Sequence, residues 1–209
     1  MIVTIIKEDI KALIPEHEIG EYPIYPYYAL ISKADVEVII SLLRATGVRE
    51  LFEIGTYVGV TTSILSNYVD KIYTVDLPLE MITIQTVPDI QKQEIQTKEN
   101  VGLYIKDNNK VIQFYGDSGD ESFMEFIRNQ IGHCVDAVIV DGSHSKENVL
   151  KDSLTALSMT RENGIIIWDD VYHEPVPEVT EVLQSLPYRI IHIEGTKIGF
   201  ILNNKDFVA

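Results

Sequence analysis

Two apolar runs in the second half of this chain end on acidic residues. The first, V-D-A-V-I-V-D-G-S-H from Val135 to His144, closes on Asp141 and carries His144 three residues further on. The second, G-I-I-I-W-D-D-V from Gly164 to Val171, closes on Asp169 and Asp170. If the two runs are neighbouring strands, three carboxylates converge at their tips. Like charges that close raise one another's pKa unless a cation neutralises them, and hard oxygen ligands with room for water suit Mg²⁺ or another hard divalent ion. Plainer roles stand beside this one: Asp169 and Asp170 can cap the following turn, and His144 can be an N-cap or turn residue. His173, four residues past Asp169, reads either as a second base or ligand or as a surface histidine. Trp168 suits core or pocket wall, and His17, His133 and His192 have no partner pattern and read as structural.

A second constellation lies earlier. The segment E-I-G-T-Y-V-G from Glu53 to Gly59 follows an apolar run and leads into Val60-Thr61-Thr62-Ser63, which opens a helix. That order turns backbone N–H groups and a helix amino end toward one crevice, and glycine serves where the chain turns tightly or touches a ligand. A dinucleotide fingerprint requires G-x-G-x-x-G, whereas here only Gly55 and Gly59 are present, so NAD is the weaker reading. The run Ile72 to Asp76 places a carboxylate, followed by Leu77, where it can accept both hydroxyls of a ribose. Tyr115-Gly116-Asp117-Ser118 ends the next run. Tight packing by the two glycines and turn capping by Asp76 and Asp117 are the alternatives.

The elements that must position these residues follow from the alternation of β-rich and helical stretches after Glu50, the pattern of βαβ units. Glu50 to Ile54, Lys71 to Asp76, Val111 to Tyr115, Val135 to Asp141 and Gly164 to Asp169 form five strands. In an open α/β sheet, ligands bind beyond the carboxyl ends of such strands, so Asp76, Asp141 and Asp169 should face one crevice. Arg189 to Ile193 and Ile198 to Leu202, separated by Glu194-Gly195-Thr196-Lys197, suit an antiparallel hairpin. The expectation is an α/β, Rossmann-like, seven-stranded and mostly parallel sheet with helices on both faces and a C-terminal antiparallel hairpin. Ala34 to Ala45 has a helical apolar stripe, and residues 1–45 should form an amino-terminal helical cap or arm over one rim. Tyr22, Tyr25, Tyr27 and Tyr28 in that arm suit either an aromatic wall over a ring or sugar, or simple packing. Leu77 to Lys110 has no clear strand and is long for a connection, so it should be a lid or insertion.

Composition sets the outer limits. At 209 residues and 45% apolar, the chain suits one domain spanning 1–209. A net charge of −15, with no run of five basic residues, disfavours a nucleic-acid partner. The single Cys134 forms no intrachain disulfide and fits a reducing, cytoplasmic setting. Met1 to Ile6 is apolar but short and is followed by Glu8 and Asp9, so neither a signal peptide nor a membrane partner is expected. The amino-terminal arm could exchange between subunits of a homo-oligomer.

The loop from Glu53 to Gly59, with Asp76 and Gly116-Asp117-Ser118 in order behind it, resembles the class I S-adenosylmethionine (SAM) methyltransferases. The resemblance implies that Glu53, Gly55, Thr56, Tyr57, Gly59 and Thr61 surround the methionine end of the cofactor, that Asp76 and Leu77 meet the ribose, and that Asp117 and Ser118 meet the adenine, with Asp141 also at the cofactor. D-G-S-H followed by W-D-D is similar to the metal-dependent O-methyltransferases of the macrocin and mycinamicin type, which modify sugars. That likeness implies Asp141, Asp169 and Asp170 as ligands of Mg²⁺ and His144 as general base, acting on a hydroxyl of a small diol-like acceptor of sugar or catechol type. It spans Glu50 to about Asp170; the first 45 residues and Leu77 to Lys110 lie outside it. A metal-independent SAM methyltransferase, an NAD-dependent oxidoreductase of similar fold and a SAM-binding protein without catalysis are the competing expectations.

Overall fold

A computed structural model describes residues 1–5, 31–81, 100–105 and 108–204. Eight strands form one sheet: β1 (Ile2–Ile5), β2 (Glu50–Ile54), β3 (Lys71–Asp76), β4 (Val111–Tyr115), β5 (Val135–Val140), β6 (Thr160–Trp168), β7 (Ile190–Ile193) and β8 (Gly199–Leu202). Their order across the sheet is β1-β7-β8-β6-β5-β2-β3-β4. Every neighbouring pair is parallel except those made by β8, which runs antiparallel to both β6 and β7.

The α/β class, the parallel core and the closing hairpin are as expected, but the strand number is eight rather than seven. The added strand is β1, which pairs parallel with β7 from Ile2 opposite Ile190 to Ile5 opposite Ile193. Four residues at a sheet edge carry too little periodicity to separate a strand from any short apolar run. The pairing partner, nearly the whole chain away, supplies what the local pattern lacks.

Among the described residues, five α-helices complete the two outer layers: α1 (Lys33–Ala45), α2 (Val60–Leu65), α3 (Glu121–Ile131), α4 (Lys146–Met159) and α5 (Pro177–Ser185). Alternation along the strands sends side chains to opposite faces. Phe52, Val138, Ile166 and Trp168 pack with Met124 and Ile127 of α3, Val149 of α4 and Leu183 of α5. Leu51, Ile139, Ile165 and Ile167 pack on the other face with Ile39, Ile40 and Leu43 of α1 and Leu65 of α2. Buried on both sides, the central strands are apolar almost throughout, as parallel strands between helix layers must be.

Helix starts are capped by side chains wherever the sequence places Ser or Asp before the apolar stripe. Ser32 caps α1, Asp120 caps α3 and Ser145 caps α4; each accepts from backbone N–H groups that would otherwise lack a partner. Among the described residues, no helix is long and apolar enough to cross a membrane. The tyrosines of the amino-terminal arm, His17 and residues 82–99 of the expected lid lie outside the described residues.

Candidate functional site

The glycine loop is built as a close contact between two strand ends. Gly55 has φ +101°, and a Cβ on it would lie 1.9 Å from the carbonyl oxygen of Asp141. Only glycine allows β2 to pass that near to the end of β5. Ile54 accepts from the Asp141 N–H at 2.8 Å, so the loop and the first acidic tip are one backbone unit. Gly59, at φ +81°, is the N-cap of α2. Residues 100–105 return onto this loop: the Gly102 N–H donates to Tyr57 O at 2.7 Å and the Tyr104 N–H to Val58 O at 2.9 Å.

Asp76, at the end of β3, is drawn onto the same loop. Its carboxylate accepts from the Tyr57 N–H at 2.5 Å and from the Leu77 N–H at 2.7 Å. Glu53 points into the core instead and is 2% exposed. Thr62 and Thr74 donate to its Oε2 at 2.5 and 2.7 Å, and the Thr56 hydroxyl pairs with that of Thr74. Burial pushes the Glu53 carboxyl up to about 7, against the lowering effect of those two hydroxyls. Thr61 is half-buried in the first turn of α2. Asp117 is exposed and accepts from the Gly119 N–H at 2.7 Å, the turn-capping arrangement, with the half-buried Ser118 beside it.

The acidic cluster forms at the ends of β5 and β6, which are adjacent and parallel. Asp141, His144 and Asp170 each offer a ligand atom within 4.8 Å of the others. His144 Nε2 lies 2.9 Å from Asp170 Oδ2. His173 Nδ1 stands 2.7 Å from Asp170 Oδ1, at an angle that makes no hydrogen bond. Asp170 takes φ +60°, a left-handed conformation that Asp tolerates better than most residues. Asp169 is not part of the group within 4.8 Å, although it is the immediate neighbour of Asp170; its Oδ1 is buried and makes no hydrogen bond.

Electrostatics follow from this crowding. Burial, then the charges of Asp169, Asp170 and Glu53, raise Asp141 well above the usual carboxylate range. Burial and Asp170 push Asp169 up to about 7. Asp170 goes the other way: burial would raise it, but hydrogen bonds from His144 and Lys197 hold it below its ordinary value. Lys197 was not legible as a site residue. It stands in the β7–β8 turn, with Nζ 2.8 Å from Asp170 Oδ1 and 3.4 Å from Asp169 Oδ2.

The remaining candidates take structural roles. Trp168 is 1% exposed and its indole N–H donates to Ser153 Oγ at 3.0 Å, and the residue is also among those lining the crevice beside Asp141. His192 is held by Thr4 and by Thr196 O, and His133 pairs with Glu50.

With this geometry in view, comparison with known proteins is informative. The family profile described as a methyltransferase domain matches residues 52–171, more than half of the chain. None of the curated proteins matches it in sequence. An O-methyltransferase from Bacillus cereus, solved with SAH, superposes with a TM-score of 0.59 at 17% identity, covering 84% of each chain. The O-methyltransferase TomG from Streptomyces achromogenes, involved in tomaymycin synthesis and solved with SAM, gives 0.57 at 14% identity, over 83% of this chain and 81% of that one. MycE, a methyltransferase of the mycinamycin pathway solved with Mg and SAH, gives 0.51 at 16% identity, over 80% of this chain but 48% of its own. At such identities the likeness is one of fold. The profile match over the glycine loop, Asp76, Asp141 and the two aspartates that follow β6 decides the family: the chain belongs to the methyltransferase-domain family, on the fold shared by class I SAM-dependent O-methyltransferases.

Proposed function

We propose that this protein transfers a methyl group from SAM to a hydroxyl of a small diol-like acceptor, with a hard divalent cation, Mg²⁺ by preference, at Asp141, Asp169 and Asp170. The observation that carries the reading is the convergence of Asp141, His144 and Asp170 at two adjacent parallel strand ends, on the backbone unit that also forms the glycine loop. The residues fit such an ion. Three carboxylates supply hard donors, and Asp169 keeps a buried oxygen without a hydrogen bond. Held by these carboxylates, such an ion would lower the pKa of an acceptor hydroxyl and fix its direction.

The protein's own groups do the rest. The start of α2, whose N-cap Gly59 brings no side chain to its first N–H groups, presents them to the cofactor, and Asp76 receives the ribose hydroxyls. Methyl transfer is an in-line displacement, so the acceptor oxygen must be held about 3 Å from the methyl carbon. His144 donates through Nε2 to Asp170, which leaves Nδ1 to take the hydroxyl proton, and Asp170 stabilises the imidazolium that results. His144 also stands within ligand distance of Asp141 and Asp170. A hard ion prefers the carboxylate oxygens over that nitrogen, which keeps the imidazole for proton transfer.

The test is conversion of SAM to SAH with a diol acceptor. Chelation by EDTA should abolish turnover and Mg²⁺ should restore it. His144→Ala should lower kcat by about 10²–10⁴-fold while the melting shift produced by SAM persists. Full activity in EDTA would remove the cation from the reading, and a melting shift with NAD but none with SAM would remove the methyltransferase.

A further inference from the structure

Lys197 belongs to no motif, yet both its main chain and its side chain are held. Its backbone N–H donates to Asp35 Oδ1 at 2.9 Å, and its carbonyl accepts from the Val171 N–H at 2.9 Å. Asp35 is 2% exposed in the first turn of α1, and the Ser32 hydroxyl donates to its other oxygen at 2.5 Å. The main chain of Lys197 therefore ties α1 to the residue that follows the aspartate pair. From that anchor the side chain reaches both Asp169 and Asp170.

The charges around the ammonium are few in kind. Asp169, Asp170 and Asp35 face it and favour its charged form, while burial alone opposes it. The oxygens it contacts, Asp169 Oδ2 and Asp170 Oδ1, belong to two of the three carboxylates assigned above to the divalent ion. A lysine ammonium is a compact point charge on a flexible four-carbon stem, so it can occupy those oxygens and can also leave them. Two cations cannot both sit on them at close range without strong mutual repulsion.

We propose that Lys197 is a built-in counter-cation of the acidic cluster: it neutralises Asp169 and Asp170 when no divalent ion is bound, and binding of the ion requires its ammonium to withdraw from their oxygens. The inference rests on the metal-assisted reading above. Under it, Lys197 holds the two aspartates in position at some cost in metal affinity. The protein then exchanges one cation for another rather than filling a bare cluster of repelling carboxylates.

The decisive variant is Lys197→Met, which keeps the length of the stem and removes the charge. Mg²⁺ binding to the full chain is measured by calorimetry, together with the melting temperature in EDTA and in Mg²⁺. The variant should bind Mg²⁺ about tenfold more tightly than the parent, melt lower than the parent in EDTA, and recover that difference in Mg²⁺. Lys197→Arg, which keeps the charge, should stay near the parental affinity. If Lys197→Met does not fold, Lys197→Gln carries the same measurement. Parental or weaker Mg²⁺ binding in a folded, uncharged variant overturns the proposal while leaving the metal-assisted reading in place. Absence of Mg²⁺ binding in both parent and variant overturns the two together.

Discussion

At the scale of single residues, a buried carboxylate without a hydrogen bond also lies outside the acidic cluster. Asp152, on α4, is 1% exposed, and neither of its oxygens makes a hydrogen bond. A Cβ on Gly142 would lie 3.2 Å from its Oδ2, so it sits directly beneath the turn that carries His144. Burial raises its pKa to about 6, and the charge of Asp117 adds to that rise. A carboxyl with a raised folded-state pKa binds its proton more tightly when folded. Its contribution to stability is therefore present at low pH and lost as pH rises from about 4 to about 6. Asp152→Asn removes the charge and should stabilise the protein by on the order of 2 kcal/mol at about pH 8. The gain should shrink as pH falls below about 6 and vanish near about pH 4, where the carboxyl is protonated in the folded and the unfolded chain alike. Urea unfolding at about pH 8 and about pH 4 measures the difference, and an equal effect at both would mean that folding does not raise the Asp152 pKa.

At the scale of elements, the glycine loop was legible because its chemistry is local. A strand, two glycines four residues apart and a helix start are all contiguous in sequence. What the spacing could not show is why Gly55 is glycine: its neighbour is the Asp141 carbonyl, on another strand. Gly55→Ala should therefore cost on the order of 3 kcal/mol and abolish the melting shift produced by SAM. Gly47→Ala is the matched control. Gly47 also has positive φ, at +67°, but a Cβ there meets nothing within 4 Å. The control should lose only about 1–2 kcal/mol, and equal losses in the two variants would show that strain alone, not the contact with β5, is being measured.

The same distinction explains what the sequence left hidden elsewhere. Asp76, Asp141 and Asp169 could be placed because each ends an apolar run, and strand ends of a parallel sheet share one crevice. The joining of His144 to Asp170 crosses from one strand tip to the next and depends on side-chain direction. Lys197 meets residues 27, 28 and 162 positions away, with no periodicity to announce it. Glu53 ends no strand exposed to the crevice; its inward direction is decided by two threonines, on α2 and β3, that satisfy it.

At the scale of the whole molecule, a chain with net charge −15 gathers several of its carboxylates at one rim and must manage their repulsion. Asp141 and Asp169 both have raised folded-state pKa values, Asp169 at about 7. In EDTA their contribution to stability should thus decline as pH rises toward about 7, because the folded state loses protons it had bound more tightly than the unfolded chain. A divalent ion reverses the sign, since it binds the deprotonated carboxylates and competes with those protons. At a free Mg²⁺ concentration about 100-fold above Kd the gain is about 2.7 kcal/mol, or roughly 5–10 °C in a chain of this length. Melting curves in EDTA and in Mg²⁺ should therefore diverge as pH increases, with the largest gap near pH 8 and little near pH 6. A gap independent of pH would place the ion away from Asp141 and Asp169, because only ligands that must shed protons to bind it can make its grip depend on theirs.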